Sequence, residues 1–294
     1  MAFKSGFVAV IGQPNVGKST LINALVGKKV SIVSPKPQTT RNKILGVLND
    51  KDYQIVFIDT PGVHKGSNNL DNFMQKSIDS AVSDVDLILL LLDGSKAFAP
   101  ADFKLIEKYA GRAPLFIVVT KTDLTTFEKL YPELNKINGI EGIDEVFCIS
   151  ALKDKNLQPL LDAILNKMTD TIKYFDDNQF TDKTLKFNIA ETIREKLLWR
   201  LSEEVPHGVG VVVESMQQKG NLYHIEAIIY CEKDSHKPII VGKNASMLKE
   251  IGISAREAIE KMTGKRVHLG LFVKVVPGWR DKTSALSDLG YSEN

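Results

Sequence analysis

The chain has 294 residues, enough for about two domains with a core each. With 43% hydrophobic and 25% charged residues it excludes a disordered or fibrous class, and a net charge of +2 selects no partner by itself. Cys148 and Cys231 both sit in apolar, strand-like runs and read as reduced core residues of a cytosolic protein, not as a disulfide or metal site.

Met1-Ala-Phe-Lys-Ser-Gly6 runs straight into a strand with no secretory-leader pattern. That strand is Phe7–Ile11, followed by Gly12-Gln-Pro-Asn-Val-Gly-Lys-Ser19 and by Thr20–Val26, whose Leu21, Ile22, Leu25 and Val26 have helical spacing. The octapeptide fits the phosphate-loop pattern G-x-x-x-x-G-K-[ST] in its proper setting of strand, loop and helix. Lys29–Thr40, with two prolines and no period, reads as a mobile loop feeding a strand near Ile44–Asn49. Apolar runs then recur at Ile55–Ile58, Leu87–Leu92, Leu115–Val119 and Val146–Ile149. Helical patterns lie between them, through Phe73, Met74, Ile78, Ala81 and Val82 and through Phe103, Ile106 and Tyr109. This alternation predicts an α/β domain with a mostly parallel sheet and helices on both faces. Leu87–Leu92, the most apolar run, is far too short to span a bilayer.

Asp176–Lys183 is polar and breaks the pattern, so the domains are read as 1–175 and 187–294 with a linker at 176–186. Beyond it, Ile189, Ile193, Leu197, Leu198 and Leu201 mark one helix face, and strands follow at Gly208–Met216 and Leu222–Glu232. Ile239–Val241 reads as a strand leading into Gly242-Lys-Asn-Ala245. A helix then carries Met247, Leu248, Ile251, Ala255, Ala258, Ile259 and Met262, and a last strand alternates from Val267 to Val275. The expectation is a smaller α+β domain with its helices on one sheet face.

The chemistry-bearing residues end strands. In the phosphate loop, Gly12 and Gly17 allow a tight turn, Lys18 reaches the β- and γ-phosphates, and the Ser19 hydroxyl is placed to ligate Mg²⁺. Asp59-Thr-Pro-Gly62 puts a carboxylate where it can hold Mg²⁺ and a glycine N–H where it can meet a γ-phosphate. Thr39 and Thr40 lie between these motifs, where a GTPase carries its switch threonine. In Thr120-Lys-Thr-Asp123 the Asp123 carboxylate can accept from guanine N1–H and the exocyclic amine together, a pair adenine lacks. Ser150-Ala-Leu152 can offer a backbone N–H to guanine O6. The expected nucleotide contacts are Gly12, Asn15, Val16, Gly17, Lys18, Ser19, Thr20, Asp59, Gly62, Thr120, Lys121, Asp123, Ser150, Ala151 and Leu152. Ser19, Thr40 and Asp59 are the expected metal ligands.

Gln13-Pro-Asn-Val16, Pro37-Gln-Thr-Thr-Arg41 and Asp59-Thr-Pro-Gly62 closely resemble the Era family of translation-factor-class GTPases, and the resemblance extends over the whole chain. It implies GTP and GDP with Mg²⁺ as ligands, and Lys18, Asn15, Thr40 and Gly62 at the reacting phosphate. The family usually has asparagine where Thr120 stands. Threonine keeps a hydroxyl but loses the reach of the amide, so guanine selection is expected to rest on Asp123. Val63 stands where a Ras-like glutamine would orient water, which implies a low intrinsic rate. Two groups could compensate: Asn15, which matches the phosphate-loop asparagine that holds K⁺ in related GTPases, and His64, an exposed switch histidine of a kind more often inert.

Gly242-Lys-Asn-Ala245 resembles the G-x-x-G loop of a type II KH domain, which clamps about four single-stranded nucleotides. Here alanine replaces the second glycine and is expected to sit in a helical first turn. Gly242, Lys243, Asn244, Ala245 and Lys249 are the expected RNA contacts. Between Lys243 and Lys282 nine basic residues face four acidic ones, a local patch. Trp279 is read as packing on the sheet in preference to stacking on a base. The resemblance implies a cytoplasmic, monomeric switch, with segments around Pro37–Arg41 and Val63–Leu70 as its bistable elements. It would bind the 3′ region of small-subunit (16S) ribosomal RNA and assist 30S maturation. The alternatives are a second domain that binds protein or the inner face of the cell membrane, for which the helix around Ile189–Leu201 is compatible, and a metabolic kinase, which leaves Asp123 unexplained.

Overall fold

The computed structural model describes residues 3–63, 66 and 68–291. Along the first part of the chain run β1 (Lys4–Gly12), α1 (Lys18–Val26), β2 (Ile44–Asn49), β3 (Tyr53–Asp59), α2 (Asn69–Ala81), β4 (Leu87–Asp93), α3 (Pro100–Tyr109), β5 (Leu115–Thr120), α4 (Phe127–Ile137), β6 (Glu145–Cys148) and α5 (Leu157–Lys167). The second part contains α6 (Leu185–Arg200), β7 (Gly210–Lys219), β8 (Leu222–Cys231), α7 (His236–Val241), α8 (Ser246–Thr263), β9 (Arg266–Val275) and α9 (Thr283–Asp288).

The strands of the first part form one sheet in the order β2-β3-β1-β4-β5-β6. All pairs are parallel except β2 with β3. β4 and β5 are buried along their whole length, which is why they read as unbroken apolar runs rather than alternating ones. Ile88, Leu90, Leu92, Ile117 and Val119 pack one face against Leu105, Ile106 and Tyr109 of α3 and Leu130 of α4. Each such aliphatic side chain stabilises the fold by about 2 kcal/mol. After β1 the chain builds β2 and β3 on one side and then crosses to β4 on the other. The crevice at the carboxyl ends of β1, β3, β4 and β5 is therefore the place where such sheets bind ligands.

The described residues form two compact units, one drawn from 1–31, 40–65 and 74–182 and the other from 32–39, 66–73 and 183–294. Residues 29–43 contain no regular element, yet Val30, Ile32, Ser34 and Thr40 are buried. Within the second unit, α6 holds the short segment Ile32–Thr39 by its backbone. Glu195 Oε1 accepts from Val33 N–H (3.1 Å), Trp199 Nε1 donates to the Val33 carbonyl (2.9 Å), and the buried Arg194 guanidinium donates to the Thr39 carbonyl. In the same unit Asn69 is bonded to Asp281, and Leu70 is buried beside Trp279.

The second sheet has the order β7-β8-β9, antiparallel then parallel. Tyr223, Ile225, Ala227, Ile229 and Cys231, the alternating side chains of β8, face a core built with Ile189, Ile193 and Leu197 of α6 and Ile251, Ala255 and Ile259 of α8. Two expectations are corrected here. Ile239–Val241 belongs to helix α7, not to a strand: Gly242 N–H at its end donates to the Pro238 carbonyl four residues back, and Ile240 alone of the run is fully buried. Helices also cover both sheet faces, because Val212, Ile228 and Tyr230 on the other face pack against Trp279, Ala285, Leu286 and Leu289. Trp279 is core, with its Nε1 donating to the Gly208 carbonyl at 2.9 Å.

Candidate functional site

β1 ends at Gly12 and α1 begins at Lys18, so the phosphate loop is a short reversal between a buried strand and a helix N-terminus. Gly17 caps the helix with φ 101°, a left-handed conformation that would strain any other residue. The loop's carbonyls are held by donors from within the first unit. Lys18 Nζ donates to Gly12 O (3.1 Å) and Gln13 O (3.0 Å), Lys121 Nζ to Asn15 O (2.7 Å) and Thr120 Oγ1 to Val16 O (2.6 Å). With its carbonyls engaged in this way, the loop is left with N–H groups to turn toward an anion at the helix end. Burial lowers the Lys18 ammonium from its ordinary 10.5 to about 8, against the opposing pull of Asp59.

Asp59 ends β3 and is fully buried. Ser19 Oγ donates to its Oδ2 at 2.7 Å and lies 2.9 Å from Thr40 Oγ1, which in turn is 3.5 Å from the same carboxylate oxygen. Burial raises the Asp59 carboxyl above its ordinary value, opposed by Ser19, Lys18 and Thr40. Its second oxygen, Oδ1, is buried without a hydrogen-bond partner among the described residues. Two hydroxyls and one carboxylate, whose second oxygen is unpartnered, suit a hard divalent cation that completes its shell with water and phosphate, as Mg²⁺ does. Among the described residues no group of three His, Cys, Asp or Glu lies together that could hold a metal.

Gly62 lies against the loop. A Cβ on it would stand 2.7 Å from Pro14 Cα and 2.8 Å from Pro14 N, a backbone clash. Val63 N–H donates to Gly12 O at 3.2 Å, so the residue that cannot orient water instead ties this segment to the loop. His64 lies outside the described residues.

At the far end of the crevice Asp123 is exposed, and one carboxylate oxygen accepts from Ser150 Oγ at 2.5 Å. Ser150 is fully buried and is paired by its backbone with Lys155. Ala151 is half-buried beside it, and Leu152 is exposed. The structure thus gathers Gly12–Thr20, Thr40, Asp59, Gly62, Thr120–Asp123 and Ser150 along one sheet edge. Sequence reading named Ser150 for its backbone but not its hydroxyl's hold on Asp123, and it missed Asp93. The only signal for Asp93 was an aspartate ending the strand next to the phosphate-loop strand.

In the second unit, Gly242–Ala245 form the turn from α7 into α8, and Ala245 is left-handed with φ 59°. This corrects the expectation of a helical first turn: the position keeps the conformation of a glycine although it carries a methyl. Next to it is a groove of about 370 Å³ lined by Leu248, Ile253, Leu269 and Leu271 together with Lys249 and Arg256, the latter paired with Glu260 at 3.2 Å. Of the expected RNA contacts, Ala245 and Lys249 line this groove, while Gly242, Lys243 and Asn244 form the turn above it. Arg280 is committed to Glu232 at 2.6 Å and so contributes less to the basic patch than its sequence position suggests.

Residues 7–121 match the family model described as 50S ribosome-binding GTPase, and residues 204–280 match the KH domain model. The GTPase Era of Clostridium kluyveri is 47% identical over 98% of this chain and 99% of its own, and that of Clostridioides difficile strain 630 is 47% identical over 99% of both. The chain belongs to the Era family. Two solved Era structures superpose with a TM-score of 0.95 at 35% identity, over 99% of this chain and 100% of theirs. One is a complex with MgGDPNP and nucleotides 1506–1542 of 16S ribosomal RNA, the other an Aquifex aeolicus Era variant bound to GDP·AlF4⁻. As an Era-family GTPase, the chain carries both a P-loop GTPase domain and a KH domain. Its Thr120 still braces the phosphate loop, through a hydroxyl in place of an amide. Among the described residues no helix is long and apolar enough to cross a membrane, and the apolar face of α6 is spent on the core.

Proposed function

We propose that this chain hydrolyses GTP as a switch that governs its hold on the 3′ region of small-subunit ribosomal RNA, and thereby assists maturation of the 30S subunit. The observation that carries this reading is a complete polyphosphate and cation cradle in one unit with a groove lined by apolar and basic side chains in the other. Era relatives bound to MgGDPNP with 16S RNA, and to GDP·AlF4⁻, support it.

At the first site the loop N–H groups bind the phosphates, and Lys18 moves from the Gly12 and Gln13 carbonyls to the β- and γ-phosphates. Ser19, Thr40 and Asp59 would hold Mg²⁺, which neutralises charge on the phosphate oxygens when bound. Asp123, steadied by Ser150, selects guanine, and Gly62 approaches the loop closely enough for its N–H to meet the γ-phosphate. Val63 cannot polarise water, and Asn15 would hold a K⁺ ion, which would supply positive charge at the reacting phosphate when bound. GTP turnover measured in KCl and in NaCl tests this: equal kcat in the two salts overturns the role of Asn15.

The RNA groove takes single-stranded bases on Leu248, Ile253, Leu269 and Leu271, while Lys249 and the 242–245 turn hold the backbone. The chain itself ties the switch to this unit. Thr39 is gripped by Arg194, and the next residue, Thr40, belongs to the Ser19–Asp59 cluster. Drawing Thr40 onto a cation and γ-phosphate therefore strains or relaxes the α6 grip, a differential interaction through which nucleotide state biases RNA affinity. The protein acts as a monomer in this account.

A further inference from the structure

We propose that Asp93 is a positioning residue for the guanine nucleotide, acting through Lys121 as one arm of a two-point brace on the phosphate loop. The inference rests on the nucleotide-site reading above. Two donors reach the loop from the base-recognition turn: Thr120 Oγ1 to Val16 O at 2.6 Å and Lys121 Nζ to Asn15 O at 2.7 Å. The hydroxyl has a single proton and also lies 3.1 Å from Leu92 O, so it serves one carbonyl at a time. The ammonium has three protons but rides on a long, flexible stem whose ordering costs up to ~2 kcal/mol.

Asp93 removes that freedom. It ends β4, between β1 and β5, with 7% of its surface exposed. Its Oδ2 accepts from Lys121 Nζ at 2.7 Å, with the exposed Lys96 ammonium 4.0 Å away. Its Oδ1 is occupied by Ser95, through Oγ at 2.6 Å and backbone N–H at 3.1 Å. The carboxylate is thus fixed on one oxygen and presents the other to Lys121. Burial alone would push its pKa up, but Lys121 and Ser95 outweigh burial and hold it below the ordinary value, so the ion pair is intact at neutral pH.

Backbone geometry points the same way. The two residues joined by the 2.7 Å bond, Asn15 (φ 62°) and Lys121 (φ 57°), both lie in the left-handed region. Each such conformation costs about 1 kcal/mol and persists only where its surroundings over-determine it. The Asp93–Lys121–Asn15 chain supplies that constraint at the loop where phosphates bind. Asp93 itself need not touch the nucleotide.

The test is the rate at which a fluorescent GDP analogue leaves the full-length protein when chased with unlabelled GDP. Loss of a charge-assisted bond predicts release ~10- to 100-fold faster in Asp93→Asn. Asp93→Glu should recover part of that loss. The decisive comparison is Asp93→Asn combined with Lys121→Met, which should release GDP no faster than Lys121→Met alone. A fold-wide effect of Asp93 would instead multiply the two rates, and that result, or a wild-type rate in Asp93→Asn, overturns the proposal. Should Asp93→Asn fail to fold, the exposed Ser95→Ala carries the same cycle: a roughly two- to fivefold faster release that vanishes in the Lys121→Met background supports the brace, and an unchanged rate overturns it. Failure of the unaltered protein to bind the analogue would instead overturn the nucleotide-site reading itself.

Discussion

Lys18 makes nucleotide binding a proton-uptake reaction above neutral pH. Its ammonium is desolvated by burial, and its pKa falls from 10.5 to about 8. At 1.36 kcal/mol per pKa unit that gap corresponds to ~3.4 kcal/mol against the charged form. A polyphosphate placed on the loop restores the charged form, so the bound state holds a proton that the free state has partly lost. At pH 8.5 a group titrating near 8 is about three-quarters deprotonated, and GDP binding should take up ~0.75 proton, against ~0.1 at pH 7 from this group. Both phosphates are already ionised at pH 8.5. Calorimetric titrations with GDP in two buffers of different ionisation enthalpy read this number directly. Lys18→Arg, which stays protonated throughout, should abolish the buffer dependence even where binding weakens. The sign for stability follows from the same shift. Between pH 8 and 10.5 the unfolded chain keeps a proton that the nucleotide-free folded chain has released, so the nucleotide-free protein should gain stability as pH rises through that window. Buffer-independent binding heats at pH 8.5 would show instead that Lys18 is already fully charged before GDP binds.

Gly62→Ala should lower single-turnover GTP hydrolysis by about a hundredfold, because its methyl meets the Pro14 backbone at 2.7–2.8 Å and must displace either the loop or the approaching segment. A rate within threefold of the unaltered protein would mean that the close approach is not used. Ala245→Gly relieves a left-handed alanine at φ 59°, a gain of about 1 kcal/mol offset by roughly 0.4–1 kcal/mol of unfolded-chain entropy. Urea unfolding should therefore show a change between zero and about +0.6 kcal/mol, where an alanine in a helix interior would lose about 1 kcal/mol on the same substitution. With the comparison of KCl and NaCl on turnover, these separate the parts of the nucleotide and RNA sites.

The elements whose reason for forming is local were legible in the sequence. Phe7–Ile11, Leu87–Leu92 and Leu115–Val119 read as buried strands because they are buried on both faces, and Tyr223 to Cys231 alternates because one face meets α6 and α8. The nucleotide motifs were legible because loop chemistry demands particular side chains at fixed spacing. Features that depend on distant partners were not. Ile239–Val241 is too short an apolar run to show a period, and its helical state shows only in the backbone, where Gly242 N–H donates to the Pro238 carbonyl. In α6, Glu191, Arg194 and Glu195 are buried with Ile189 and Ile193. Their partners, Thr39 and Val33, lie more than 150 positions away and leave no trace in local pattern. Asp93 likewise looks ordinary in sequence, and the Ser150 hydroxyl gains its role only from the Asp123 side chain it holds.

Whether nucleotide state sets RNA affinity can be read in one titration. A fluorescent single-stranded RNA of the 16S 3′ region would be titrated with the full chain carrying non-hydrolysable GTP analogue, GDP or no nucleotide. The account predicts at least fivefold tighter binding with the GTP analogue than with GDP, a coupling of about 1 kcal/mol, lost together with most RNA binding in Lys243→Ala/Lys249→Ala. Equal affinity in all three states, or affinity untouched by that double substitution, would contradict it.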